Sequence, residues 1–433
     1  MSALNAIEAR QLGQRANGGV TMEAMTTRTA ALLALGLALG KPAAADETEL
    51  QALKAEVNAL RQELAELRAQ IKTTNPTAAQ APVATPAAQL SQQPIPQVTP
   101  APPEWQTATS VSHLAGYAAV GYTDRDNGTG AFNVANFNPI FHFLYNDLLL
   151  WEAELEIAVQ ENGETELNLE YTTLDLFLND YLTLSGGKLL SPLGQFRQNL
   201  HPAWINKLPS VPPGFGHDGA APQAEIGLQA RGAVPLGQMK ANYAVYVGNG
   251  PELEAEDGEL HGVETEGFAR DADGSKVWGG RIGVLPLPKL EIGLSAATGD
   301  AAVATEAGRE PSRAYDVWGA DFAYRWHNLD LRSEFIQQRI GDQPASIAPA
   351  GGTWRAWYVQ GAYRFFSPRW EGVLRYGDFT SPRASQAQRQ WVLGLNYLFA
   401  PNVIAKLAYE FNDGLPGTPL DANRWLGQLA YGF

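Results

Sequence analysis

The last ten residues of the chain, Arg424–Phe433, read RWLGQLAYGF and indicate how the chain folds. Large apolar residues alternate there with small or polar ones, namely Leu429, Tyr431 and Phe433 against Gln428, Ala430 and Gly432. Successive side chains of a β-strand point to opposite faces, so this alternation predicts a strand. One face of the strand is apolar and aromatic, and the other can border water.

The same alternation recurs upstream of this terminal strand. Ala153, Leu155, Ile157 and Val159 alternate with Glu152, Glu154 and Glu156, and Leu393, Leu395, Tyr397 and Phe399 alternate with Gly394 and Asn396. Between such segments, short turn signals such as Asn146-Asp147 and His327-Asn328 alternate with longer polar connections. The long connections lie near 123–130, 161–165, 191–221, 248–275, 299–312, 340–352, 378–388 and 412–422. Seven short and eight long connections join sixteen strands, so residues 105–433 predict an all-β, sixteen-stranded antiparallel transmembrane β-barrel.

Composition supports a strand-rich chain and excludes two other classes. The 433 residues include 43 Gly, 28 Pro and no Cys, which suits many turns and excludes disulfides. A formal charge of −15 argues against nucleic acid as a partner, because that needs a basic surface. No apolar run reaches the roughly 20 residues of a membrane-spanning helix.

Residues 1–45 have the pattern of a signal peptide. Arg28 precedes the apolar stretch 30–40, AALLALGLALG, and small residues of the A-x-A type follow at 43–45. Met22 or Met25 would be a more ordinary start, which would make residues 1–21 a mis-assigned upstream extension.

Residues 46–72 predict an α-helical coiled coil. Apolar residues occupy the a and d positions of heptads: Leu50, Leu53, Val57, Leu60, Leu64, Leu67 and Ile71. Acidic g positions precede basic e positions in each heptad, an arrangement that parallel chains satisfy, so a homo-oligomer is expected. Residues 73–104 hold eight prolines and a single charge, Glu104, and predict an extended linker.

Taken together, these segments resemble trimeric outer-membrane porins, in particular the phosphate-selective O/P porins and the dicarboxylate-type porins with an N-terminal coiled coil. Resembling segments are Gly116-Tyr117, residues 185–194 (SGGKLLSPLG) and residues 245–251 (VYVGNGP). The terminal Phe433 resembles the C-terminal signature that the barrel assembly machinery reads. The resemblance implies an outer-membrane trimer among lipopolysaccharide and other outer-membrane lipids, with its coiled coil in the periplasm. It would pass small hydrophilic solutes and need no cofactor. The chain lacks a dense arginine-lysine ladder, so phosphate selectivity is not implied.

The resemblance also singles out the third long connection, which in porins folds into the lumen. In this chain it is residues 191–221, and Arg197, His201 and Lys207 are its candidate constriction residues. A basic constriction would favour anions by focusing the electric field, whereas a loop packed over the mouth is the alternative.

Strand alternation predicts which charged side chains line the lumen. The acidic candidates are Glu152, Glu154 and Glu156, and the basic candidates are Lys188, Arg325, Arg332, Arg364, Arg375, Lys406 and Arg424. In the alternative interpretation these charges only pair with neighbouring strands.

Two further features complete the sequence-based expectations. Connection 248–275 carries nine acidic residues against Arg270, which indicates a solvated acidic loop or, alternatively, a shelf for divalent cations. The six histidines show no metal-ligand spacing and no catalytic cluster is evident, so neither a metal site nor an enzyme is expected. The alternative function is an envelope tether that uses the coiled coil, with the barrel as its anchor.

Overall fold

A computed structural model describes residues 110–126, 128–217, 219–271, 273–305, 308–366 and 368–433. The predicted signal peptide, coiled coil and linker all lie outside these residues. The elements in chain order are β1 (Ser110–Arg125), β2 (Ala131–Tyr145), β3 (Leu149–Val159), β4 (Thr165–Asn179), β5 (Leu182–Leu190), α1 (Phe196–Asn199), β6 (Ala224–Leu236), β7 (Met239–Gly248), β8 (Glu252–Glu256), β9 (Glu259–Glu264), β10 (Val277–Leu287), β11 (Leu290–Thr305), β12 (Gly308–Arg309), β13 (Arg313–Trp326), β14 (Leu329–Ile340), β15 (Gly352–Phe365), β16 (Trp370–Thr380), β17 (Gln388–Ala400), β18 (Val403–Asp413) and β19 (Arg424–Gly432).

The strands form one closed antiparallel barrel. Of the nineteen strands in the described residues, β8, β9 and β12 belong to long connections, which leaves sixteen in the barrel wall. The sheet closes where β1 pairs with β19, from Tyr117 opposite Gly432 to Arg125 opposite Arg424. The predicted closed, sixteen-stranded antiparallel barrel is therefore confirmed.

Short and long connections alternate as the sequence predicts. The turn between β2 and β3 places Asn146 and Asp147 at φ 50° and 51°. Asparagine and aspartate tolerate this left-handed conformation, which suits the twist of a tight hairpin. Alternation puts the short turns on one rim and the long connections on the other.

The two faces of the wall differ as the alternation requires. On β17, Trp391, Leu393 and Leu395 are exposed on the outer face, whereas Val392 and Asn396 are buried on the inner face. The aromatic residues Trp326, Trp370 and Trp425, which lie near strand ends, are exposed on the outside as well. A barrel with an apolar, aromatic exterior and polar groups inside matches the physical requirements of a wall in lipid.

The terminal residue completes the closure of the barrel. The Phe433 backbone N–H donates to the Gly116 carbonyl at 2.9 Å, and the Gly116 N–H donates to the Phe433 carbonyl at 3.0 Å. The Phe433 ring packs over Gly116, where a Cβ would lie 2.7 Å from its Cζ, and stacks on Phe137 at 5.8 Å. Phe433 thus joins both ends of the barrel sheet.

Replacing Phe433 with Asp is expected to lower the amount of folded, heat-modifiable barrel in outer membranes, because a charge would replace the ring at the closing seam. Gel mobility of unheated membrane samples measures the folded fraction. Phe366→Asp is the matched control, since Phe366 is 98% exposed in a short turn. Equal folded amounts in both variants and the native chain would contradict a role for the terminal ring in assembly.

Candidate functional site

The long connection between β5 and β6, residues 191–223, lies inside the barrel. The Gly194 N–H donates to the Ser295 hydroxyl on β11 at 3.0 Å, and the Gln338 side chain on β14 donates to the Gly219 carbonyl at 2.8 Å. On another part of the wall, the Lys406 ammonium on β18 donates to the Ala203 carbonyl. Because these strands are far from β5 and β6 around the wall, the connection crosses the interior. We call residues 191–223 the inner loop.

An apolar cluster holds the inner loop against one side of the wall. Phe196, Phe215 and the wall residue Tyr358 are all buried, with ring centroids 6.0 Å apart for Phe196–Phe215 and 5.1 Å for Phe215–Tyr358. Gly214 has φ +76° and approaches the wall so closely that a Cβ there would lie 2.6 Å from the Cβ of Ala356. The aromatic and glycine residues of this segment therefore pack it tightly against the wall, so that it is not a free loop.

The helical turn α1 is fixed by a buried carboxylate. The Phe196 N–H donates to Glu334 on β14 at 2.9 Å. Free N–H groups at the start of a helical turn favour such an acceptor. The contact adds a polar restraint beside the apolar cluster.

Each of the three candidate constriction residues faces a carboxylate of the wall. Arg197 forms an ion pair with Glu170, and the Lys207 ammonium lies 3.0 Å from Glu371. The His201 Nε2 atom lies 3.6 Å from Glu154. The segment is basic by its own sequence, but the wall offsets these charges locally.

Most of the candidate strand residues lie on the inner face of the wall and have partners there. Glu152 accepts a hydrogen bond from Tyr171 at 2.6 Å and lies 2.9 Å from His142. The other pairs are Arg325 and Arg332 with Asp330, Arg364 with Glu371, and Arg424 with Glu410. Glu156 lies on the same face, opposite Asn168 of β4.

Three of the candidates lie beneath the inner loop rather than beside open space. Arg375 is 0% exposed and donates to the Ser210 carbonyl and hydroxyl, both at 2.8 Å. Lys406 and Glu154 are also buried. These residues anchor the loop, so their expected exposure to the lumen is not observed.

Lys188 was predicted to line the lumen, but it lies on the outer face of the wall. It is paired with Thr172 on β4 and Ile226 on β6, in the same alternating series as Leu184 and the exposed Leu228. Its ammonium donates to the Leu169 carbonyl at 2.7 Å. Gly186 and Gly187 precede it and carry no side chain that would reveal the phase of the strand.

Two arginines of the inner face, Arg231 and Arg281, were not among the lumen residues predicted from the sequence. Arg281 on β10 forms ion pairs with Asp321 at 2.6 Å and Glu291 at 2.9 Å, and Arg231 on β6 pairs with Asp175. Strand alternation applied to β6 and β10 could have identified both arginines. Their partners could not be found that way, because pairing across strands depends on register.

The acidic connection 249–276 is more ordered than its composition indicates. Strands β8 and β9 form a hairpin whose Leu253, Leu260 and Val263 are buried in the same cluster as the inner loop. His217 of the inner loop lies 2.7 Å from Glu266 of this connection. That hydrogen bond raises the pKa of His217 and lowers the pKa of Glu266. The contact between the two connections is therefore favoured at pH values between these two pKa values, and it weakens as pH rises above the pKa of His217 or falls below that of Glu266.

The residues that the structure describes contain no group of three or more His, Asp or Glu side chains placed to hold a metal ion. None of the helices described there is long and apolar enough to cross a membrane.

Comparisons with known proteins find similarity in fold. No family model matches the chain, and no curated protein sequence matches it. An anion-selective porin from Comamonas acidovorans is 13% identical, with a TM-score of 0.52, and the match covers 75% of this chain and 100% of the porin. A loop L8 deletion mutant of OmpT, an outer membrane protein of Vibrio cholerae, is 12% identical with a TM-score of 0.50, covering 75% of this chain and 100% of that one. At these identities the similarity establishes the porin-type barrel fold of this chain.

Proposed function

We propose that the chain is an outer-membrane porin that lets small hydrophilic solutes diffuse passively through a water-filled barrel. The observation that carries the proposal is the inner loop, which crosses a closed barrel and narrows its interior. The apolar, aromatic exterior suits a lipid environment, and the charged interior suits water. In this proposal the protein catalyses no reaction and solutes cross it by diffusion alone.

We further propose a bias toward anions, set by which partner of each inner ion pair is exposed. The side chain of Arg364 is 42% exposed, whereas that of its partner Glu371 is 3% exposed. Arg231 is 32% exposed against 2% for Asp175, and Arg424 is 28% exposed against 0% for Glu410. In these three pairs water in the lumen therefore meets the cation, and the carboxylate lies behind it. In two other inner pairs the carboxylate is the more exposed partner, Glu291 beside Arg281 and Asp330 beside Arg332. Rings of exposed charge set selectivity in narrow pores.

The pore constriction in this proposal is formed by Arg197, His201 and Lys207, with the inner-face charges of the wall around them. Glu152 and Glu156 on β3 would lie across the lumen from the exposed cations. The two groups of opposite charge would set up an electric field across the pore. The porin would act as a homo-oligomer, with a trimer as the expected form, and its terminal strand would be read by the barrel assembly machinery. The solved anion-selective porin of similar fold is consistent with these assignments.

Liposome swelling tests the proposal. Purified full-length protein in liposomes is expected to admit small uncharged sugars and amino acids, with rates that fall steeply as solute size increases. Such a cut-off follows because the inner loop narrows the path. Heat-unfolded protein in the same lipid is the control. Swelling no faster than in the control for every solute would contradict a diffusion pore.

A further inference from the structure

Two histidines from neighbouring strands face each other on the inner side of the barrel wall. His113 on β1 is the cross-strand partner of His142 on β2, and His142 is the partner of Glu152 on β3. Tyr117, four residues after His113 on the same strand, points inward and donates to Glu154 at 2.8 Å. Residues four apart along a strand share a face, so His113, His142 and Glu152 form a row across the lumen wall. The row lies close to the end of β2, near the rim of short turns.

The position of the proton on His142 is set by its acidic neighbour. The Nε2 atom of His142 lies 2.9 Å from the Glu152 carboxylate, and Glu152 in turn accepts a hydrogen bond from Tyr171 at 2.6 Å. An ionised carboxylate only accepts hydrogen bonds, so Nε2 of His142 carries the proton and Nδ1 of the neutral ring keeps its lone pair. That lone pair is on the side of the ring that faces His113.

The spacing of the two Nδ1 atoms fits a shared metal ion. The Nδ1 atoms of His113 and His142 lie 3.4 Å apart, and the ring planes are inclined at 31°. This separation exceeds the about 2.7–3.2 Å of an ordinary N–H···O hydrogen bond. A tetrahedral Zn²⁺ ion bound to two imidazoles at about 2.0–2.1 Å holds the two nitrogens about 3.3–3.4 Å apart. The two nitrogens are therefore at ligand spacing before an ion enters.

The chemistry of the donor atoms selects the class of ion. Neutral imidazole nitrogens suit Zn²⁺, Cu²⁺ and Ni²⁺, whereas Mg²⁺ and Ca²⁺ take oxygen ligands. The chain has no cysteine, so no thiolate of its own competes for such an ion. His113 is exposed on the lumen side, which gives an ion and its water ligands access. A carboxylate behind a metal-bound histidine fixes the ring and makes its nitrogen a stronger ligand, and Glu152 has this place behind His142.

We propose that His113 and His142 bind one divalent transition-metal ion of the Zn²⁺ class through their Nδ1 atoms, with water completing the coordination sphere. His113 then holds its proton on Nε2, and Glu152 is a positioning residue that contacts His142 and not the ion. The site has two protein ligands, fewer than the groups of three that the described residues lack. The histidines lie 29 positions apart and meet only through strand register, so their sequence spacing does not reveal the site. The proposal does not depend on whether the barrel passes solutes.

Isothermal titration calorimetry of the full-length protein in detergent with zinc chloride tests the proposal. The native protein is expected to bind one Zn²⁺ per chain at its tightest site, and Mg²⁺ should not compete for it. His113→Asn and His142→Asn should each weaken zinc binding more than tenfold because each removes a ligand, and Glu152→Gln should weaken it about tenfold because the ligand loses its orienting partner. His327→Asn is the matched control, since it removes an imidazole from a short turn where asparagine tolerates the φ of 52°.

Every variant is first shown to be folded by heat modifiability. A native protein that binds no zinc would overturn the proposal, as would equal zinc affinity in the native protein and either ligand variant. Zinc binding that persists in both ligand variants and is lost in His261→Asn would locate the ion beside Glu254 on the acidic connection, and this result would overturn the proposal too.

X-ray absorption at the zinc edge, measured on the zinc-loaded full-length protein, gives a second readout. The native protein and Glu152→Gln should both show two imidazole nitrogens at about 2.0–2.1 Å from the metal, because Glu152 orients a ligand without being one. A single imidazole in the native protein, or the loss of one in Glu152→Gln, would contradict the shared site and the positioning role respectively.

Discussion

A barrel carrying Phe196→Ala and Phe215→Ala is expected to pass several-fold more current per open channel than the native chain. Both rings are buried and pack with Tyr358 to hold the inner loop against the wall. Each truncation removes about 3–5 kcal/mol of packing when a phenylalanine is fully buried. The wall itself keeps its sheet hydrogen bonds, so the barrel should stay folded while the loop leaves its dock. Single-channel recording in planar bilayers measures the change.

The control for this result is Phe132→Ala, which truncates a ring that is 90% exposed on β2. It should leave the conductance as in the native chain. Current through the double variant that matched native current, with a folded barrel confirmed by heat modifiability, would show that the inner loop does not limit the path.

Replacing Lys207 and Arg364 with Gln is expected to shift ion preference toward cations. Both cations contact Glu371, at 3.0 Å and 3.4 Å, and both are more exposed than that carboxylate. Their removal leaves Glu371 with the Asn396 amide, which donates at 3.2 Å, as its remaining polar contact of those described here. The zero-current potential across a salt gradient measures the shift. It should shrink as salt rises from 0.1 M to 1 M, because the screening length falls from about 10 Å to about 3 Å.

The matched control is Lys289→Gln with Arg355→Gln, which removes the same charge in a short turn and on the outer face of β15. An equal shift in the control would indicate a long-range effect of net charge. No shift in the Lys207/Arg364 variant would contradict the assignment of exposed inner cations as the selectivity determinants.

Much of the fold could be predicted from local patterns. The alternation around Leu393 and Leu395 gives β17 its faces without any knowledge of its neighbours, since the period of a strand is fixed by backbone geometry. Turn residues such as Asn146 and Asp147 mark chain reversals through their tolerance of positive φ. The count of sixteen strands follows from those two signals.

The candidate site was less accessible to sequence reasoning, because its contacts join residues distant along the chain. Lys207 meets Glu371, and Arg375 meets Ser210, only after the barrel has closed and the inner loop has entered it. Sequence alternation placed Arg375 on the inner face but could not show that the loop covers it. Lys188 was assigned to the wrong face because two glycines before it conceal the strand phase.

The acidic connection 248–275 is a second case in which the sequence did not reveal the contacts, here because its composition was dominated by charge. Nine acids in connection 248–275 indicate a solvated loop, yet Leu253, Leu260 and Val263 alternate with them and are buried. A few apolar residues at strand spacing outweighed the net charge, because they gain an apolar neighbour in the inner loop. The tether function proposed for the coiled coil remains a prediction, since it concerns residues outside those described.

The central claim, an open barrel narrowed by its inner loop, is tested most directly by single-channel recording of the native full-length protein in a planar lipid bilayer. The account predicts discrete current steps that scale linearly with voltage. In a salt gradient, the zero-current potential should have the sign that indicates a preference for anions. Folded protein, verified by heat modifiability, that inserts into the bilayer and yields no current steps would contradict it.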